Sequence, residues 1–161
     1  MTSILRIGRS DRIERELYFL SLPNFDVLST RLVLPSRHFA AFVAGDAMSV
    51  DPTILRRFAR LLIESGCVYF CSWGPDCERV HDIFDEVCDP DAPVIMTTWH
   101  DRDSLDGALW FFVSDSHPDA EYDSTCGCGV AISVGDAAWA EHIRERLADI
   151  EGLKKNVFNE A

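Results

Sequence analysis

The sequence predicts an α/β fold: a single three-layer α/β/α sandwich around a mainly parallel sheet of four strands. Three observations predict it. Four short, nearly continuous apolar runs lie between residues 38 and 134, a stretch with apolar residues at helical spacing follows each, and Gly, Pro and Asp mark the junctions. Strands covered on both faces read as continuous apolar runs, and strand–helix units in series build parallel sheets through right-handed crossovers.

The first core run is Phe39–Val43, which stops at Gly45-Asp46. Asp51 then offers a carboxylate to the free amides of a helix start, and Pro52 sits in the first turn, where a missing N–H costs nothing. Ile54, Leu55, Phe58, Leu61 and Leu62 share one face of that helix, and Gly66 ends it. Val68–Ser72 is the second run, and Gly74-Pro75 opens a second helix whose stripe is Cys77, Val80, Phe84, Val87 and Cys88. Val94–Trp99 follows the breaker "DPDAP" as the third run. Asp103-Ser104 can cap a third helix with Leu105, Ala108, Leu109, Phe112 and Val113 inward; "ALWFFV" has a rival reading as a strand, but the inward spacing of 3, 1, 3 and 1 favours the helix. Gly129–Val134 is the fourth run, and Gly135-Asp136 starts a last helix carrying Trp139, Ile143, Leu147 and Ile150. The order describes a flavodoxin-like or Rossmann-like sheet.

All 161 residues fit one domain. Residues 38–150 form the α/β core and 151–161 a C-terminal tail. Residues 1–37 are an N-terminal extension in which Leu17–Leu22 and Arg31–Leu34 can pair as an edge hairpin.

Apolar residues make up 47% of the chain and charged residues 26%, with no run of the roughly 18 apolar residues that a membrane helix needs. The N-terminal stretch lacks an apolar core before a small-residue cleavage site, so no secretory leader is expected. With that, the six cysteines read as reduced thiols of a cytoplasmic protein rather than a disulfide framework. Cys67/Cys71 and Cys126/Cys128 lack the C-x-x-C spacing of zinc or redox centres, and Cys77 with His81 supplies only two ligands of the four a zinc site uses. No metal and no cofactor are therefore expected; Cys77 and Cys88 read as core packing, while Cys126, between Thr125 and glycine, reads as the more exposed thiol.

Net charge is −12 and uneven: residues 1–60 carry 9 Lys/Arg against 6 Asp/Glu, residues 61–161 carry 6 against 21. Such a field repels nucleic acid and anionic membranes and attracts a basic protein partner. Asp82, Asp85, Glu86 and Asp89 lie off the apolar stripe of the second helix and are the candidate partner-binding residues.

Parallel sheets bind ligands beyond the carboxyl ends of their strands. At that rim stand Asp46, Trp73, Trp99, His100 and Asp101. His100 is the candidate general base, with Asp46 or Asp101 to orient it, and Trp73 and Trp99 are candidates to stack on a ring. No phosphate loop, G-x-G-x-x-G or G-x-S-x-G is present.

The segments "FVAGD", "VYFCSWGPDCERVHDIFDE", "LWFFVSDSHPD" and "VAISVGDAAWAEHI" together resemble a family of small stand-alone bacterial domains of unknown function, over roughly residues 38–150. The resemblance implies the α/β fold and a bacterial cytoplasmic setting, and no site residues. The function expected from charge is an acidic, non-catalytic binding protein for a basic partner, of the immunity or inhibitor kind. The alternative is a small enzyme or nucleotide-binding sensor working at the rim.

Overall fold

A computed structural model describes residues 3–159. Among these residues, six strands form one sheet: β1 (Leu5–Ser10), β2 (Arg15–Leu22), β3 (His38–Gly45), β4 (Cys67–Trp73), β5 (Met96–Trp99) and β6 (Cys126–Val134). Their spatial order is β1-β2-β6-β3-β4-β5, with every pair parallel except the β1–β2 hairpin. The helices are α1 (Pro52–Ser65), α2 (Cys77–Val87), α3 (Leu105–Ser114), α4 (Ala137–Ala148) and α5 (Ile150–Asn159).

Alternation along the inner strands divides the core into two apolar layers. Phe39, Ala41 and Val43 of β3 face α1 and α2, where they meet Leu55, Phe58, Leu62, Val80 and Phe84. Ala40, Phe42 and Ala44 face the other way, toward Leu109 and Phe112 of α3, Ile143 and Leu147 of α4, and Leu153 of α5. Caps act where the sequence places them: the carboxylates of Asp51 and Asp136 and the hydroxyl of Ser104 accept from backbone amides of Thr53, Trp139 and Gly107. Asp106, buried at the start of α3, ties that helix to α4 by accepting from His142 Nε2 at 2.6 Å and Arg146 Nε at 3.1 Å.

Three expectations need correction. The sheet has six strands, not four. β1 was not foreseen because it is an edge strand in which half-buried Ile7 alternates with exposed Arg6 and Arg9, leaving no apolar run. The expected hairpin between Leu17–Leu22 and Arg31–Leu34 does not form: β2 pairs with β1 on one side and runs parallel to β6 on the other, so it is an interior strand. Residues 31–34 are irregular, with the Leu32 amide donating to Ser65 Oγ and its side chain buried in the α1/α2 layer. The expected tail forms α5 as far as Asn159: Asp149 ends α4 and its carboxylate accepts from the Gly152 amide, restarting the helix so that Leu153 reaches the core. Residues 160–161 lie outside the described residues. Among the described residues, no helix is long and apolar enough to cross a membrane.

Candidate functional site

β3 hands the chain to α1 on one face of the sheet, while its neighbour β6 hands it to α4 on the other. The connections diverge at the carboxyl ends of this pair, which is where open parallel sheets form ligand crevices. A cleft of about 820 Å³ lies there, walled by Phe25 and Asp26 from the loop after β2, Asp46, Asp51 and Ile54 from the β3–α1 segment, and Asp136 and Trp139 from the start of α4. Phe25 reaches the rim because β3 ends in Gly45, where a Cβ would stand 2.8 Å from the Phe25 ring. Arg79 locks the β3–α1 loop to α2: it donates to the Asp76 carboxylate and to the carbonyls of Ala47 and Val50.

An aspartate side chain occupies one backbone amide in each of the three turns at this crevice. Asp51 takes the Thr53 amide at 2.8 Å, Asp136 takes the Trp139 amide at 2.9 Å, and Asp46 takes the Met48 amide at 3.0 Å. With Asp26, four carboxylates line the cleft, and among the cations Arg57 pairs with Asp26. Four carboxylates at one concavity disfavour an anionic ligand by Coulomb repulsion and favour a cationic one.

A smaller recess of about 340 Å³ lies beside it, lined by Trp73, Asp76, His100, Asp101 and Asp103. The Trp73 and Trp139 rings meet edge to face at 5.0 Å, and the Trp73 indole donates to the Asp103 carbonyl at 3.0 Å. The rim residues picked from the sequence do not converge. Trp73, His100 and Asp101 share the recess, whereas Asp46 lines the larger cleft. Trp99 stands on the other face of β5, its ring against His81 at 4.5 Å, because consecutive strand residues point to opposite faces.

His100 is no free general base. It is 7% exposed, its Nδ1 donates to Asp103 Oδ2 at 2.8 Å, Thr98 Oγ1 lies 2.9 Å from Nε2, and its ring packs on Phe111. Its carboxylate partner is therefore Asp103, not Asp46 or Asp101; the three-residue spacing from His100 to Asp103 was the available signal. Carboxylate, imidazole and hydroxyl stand in the order of a proton relay, but Thr98 does not line the recess. Trp139 and Asp26 were also missed: Trp139 reads as one more stripe residue, and Asp26 as an ordinary loop residue.

Asp82, Asp85, Glu86 and Asp89 are all exposed on α2 or its end. Asp82 accepts from His81 Nδ1 at 2.9 Å, Asp85 accepts from the Thr97 hydroxyl at 2.8 Å, and Glu86 faces Arg56 at 3.4 Å. Among the described residues no three His, Cys, Asp or Glu side chains are grouped to hold a metal ion.

Five of the six thiols are buried, and Cys88 is half-buried against the core. Burial pushes Cys67 well up, Cys71 to about 12 and Cys88 to about 11, and it also raises Cys77. Cys126 corrects the expectation of an exposed thiol: it is the first residue of β6, buried, and desolvation raises it more than the Arg15 guanidinium lowers it. Unfolded thiols ionise near pH 8.5–9, whereas Cys67, Cys71, Cys77, Cys88 and Cys126 keep their protons to higher pH in the native state. Above that pH the unfolded state binds fewer protons, so stability must fall as pH rises. In reducing buffer, the unfolding free energy from urea titrations is expected to fall from about pH 9 upward, by at most about 1.4 kcal/mol per pH unit for each buried thiol, and the urea midpoint with it. Midpoints that stay level through this range would contradict the burial of the thiols.

Fold and rim together define an α/β protein with helices on both faces of a mostly parallel sheet and an aspartate-walled cleft at its carboxyl edge. The chain belongs to the family described as Domain of unknown function (DUF7684), whose family model matches residues 18–150. The match begins inside β2, the strand that the topology sets beside β6. A search of curated proteins finds no match.

Proposed function

We propose that this chain is an acidic cytoplasmic binding protein that engages a basic protein partner without catalysis, in the manner of an inhibitor or immunity protein. The observation that carries this reading is the cleft at the β3/β6 rim. Where a doubly wound fold would receive an anion, four aspartates line the cleft, and two of them cap the helix starts beside it. The carboxylates of Asp82, Asp85, Glu86 and Asp89 at α2 are exposed as well. Such a field raises association rates with a cationic surface and suppresses anionic competitors. A nucleotide sensor fits this cleft poorly on charge, and an enzyme working through Asp103, His100 and Thr98 lacks a hydroxyl on the recess wall.

The test is capture of a partner from lysate, its identification, and measurement of association rates with the purified partner. An exposed ion pair alone is worth about 0.2–1 kcal/mol, so the neutralised variant combines D82N, D85N, E86Q and D89N. The expected partner is rich in Lys and Arg, and its association rate is expected to fall about tenfold or more on neutralisation or in high salt, with a smaller change in dissociation. A partner of acidic composition, or rates indifferent to both changes, would overturn the reading.

A further inference from the structure

We propose that the outer edge of β5 receives an extended basic segment of the partner as an additional strand; this rests on the reading of a basic protein partner and names how it docks. β5 ends the strand order, with β4 as its neighbour on one side and no strand on the other among the described residues. The His100 amide donates to the Ser72 carbonyl of β4, which fixes the parity of the strand. Backbone groups of Thr97 and Trp99 therefore point away from the sheet, and these are the donors and acceptors that an incoming strand pairs with.

Natural sheets protect such edges with short strands, Lys, Pro, bulges or inward charges. β5 is short, at four residues, but its Met-Thr-Thr-Trp carries no Lys, Pro or charge and no break in register against β4. Met96 is 39% and Trp99 41% exposed, on opposite faces of the strand. Charge selects the occupant. Residues 80–101 contain six Asp/Glu and no Lys or Arg. A second copy of this chain would set like charges against one another, whereas a basic segment would not. The two faces also differ: Asp85 bonds Thr97 on the α2 side, where Trp99 lies as well, while Met96 faces the opposite side. An added strand is thus matched by Lys or Arg at positions facing α2, with Trp99 as a cation–π platform, and by apolar residues at the alternate positions.

The experiment uses residue-resolved amide exchange on the full chain, titrated with a peptide alternating lysine and valine and with one alternating glutamate and valine. The Lys–Val peptide is expected to slow exchange of the Thr97 and Trp99 amides about tenfold or more and the Glu–Val peptide is not. Proline at position 97 deletes an outward N–H without touching the ladder to β4. T97P is expected to weaken Lys–Val binding about tenfold, and T97V, which keeps the N–H, by less than about threefold. If T97P fails to fold, the exchange map of the unmodified chain decides alone. Protection confined to α2, with T97P binding like the unmodified chain, would overturn strand addition and leave the acidic-surface reading standing. Equal binding of both peptides would remove the basic-partner reading itself. Self-association that T97P abolishes, seen by sedimentation, would make the occupant a second copy and overturn the proposal.

Discussion

Phe84→Ala is expected to lower the unfolding free energy by about 3–5 kcal/mol, the range for truncating a fully buried phenylalanine. Phe84 has no exposed surface, and its ring stacks on Phe70 of β4 at 4.2 Å and 7°. That stack fastens α2 to the sheet, and Val80 and Ile83 complete its inner face. A domain has roughly 5–15 kcal/mol to lose, so the variant should be partly unfolded at 37 °C or melt well below the parent. Urea denaturation followed by circular dichroism measures the difference. A loss under about 1 kcal/mol would mean that α2 is not anchored by this side chain.

Gly74→Ala is expected to cost about 3 kcal/mol or more, although it adds only a methyl group. Gly74 has φ of +115°, and a Cβ there would stand 2.2 Å from the Gly45 carbonyl oxygen. A positive φ in a residue with a Cβ costs on the order of 1–3 kcal/mol, and the backbone collision adds to it because two chain segments must move apart. Those segments are the ends of β3 and β4, where the Ala47 amide also donates to the Pro75 carbonyl, so the displacement opens both rim concavities. Gly127→Ala is the control. Its Cβ would meet Ser36 at 3.4 Å, ordinary contact with φ outside the positive range, and a change within about 0.5 kcal/mol is expected. Equal denaturation midpoints for the two variants would show that the Gly74 turn is not strained by a side chain.

Much of the candidate site was legible one element at a time. Asp46, Trp73, His100 and Asp136 each stand where a strand meets its following loop, and each lies at the rim. What they share could not be read from spacing. His100 and Trp99 are adjacent in the chain and stand on opposite faces, while Trp73 and Trp139 are 66 positions apart and touch at 5.0 Å. The cysteines show the same limit: the stripe through Cys77 and Phe84 is periodic and was found, but the burial of Cys126 depends on the strand that its loop becomes.

By itself the sequence determined the elements whose cause is local. Helical stripes, the caps at Asp51, Ser104 and Asp136, and apolar runs are set by residues within a turn or two of one another. The three caps form where they were read, while the third run starts as a strand only at Met96 and the last helix stops at Ala148, leaving Ile150 to begin α5. The tertiary structure alone decided the strand order, the seating of β2 beside β6, the pairing of β1 on β2, the irregular path of residues 31–34, and which rim side chains meet. The physical reason is that strand pairing and rim contacts join residues distant in the chain. Their partners are selected by burial of whole faces and by long-range hydrogen bonds, and neither leaves a periodic trace in the segment that supplies them.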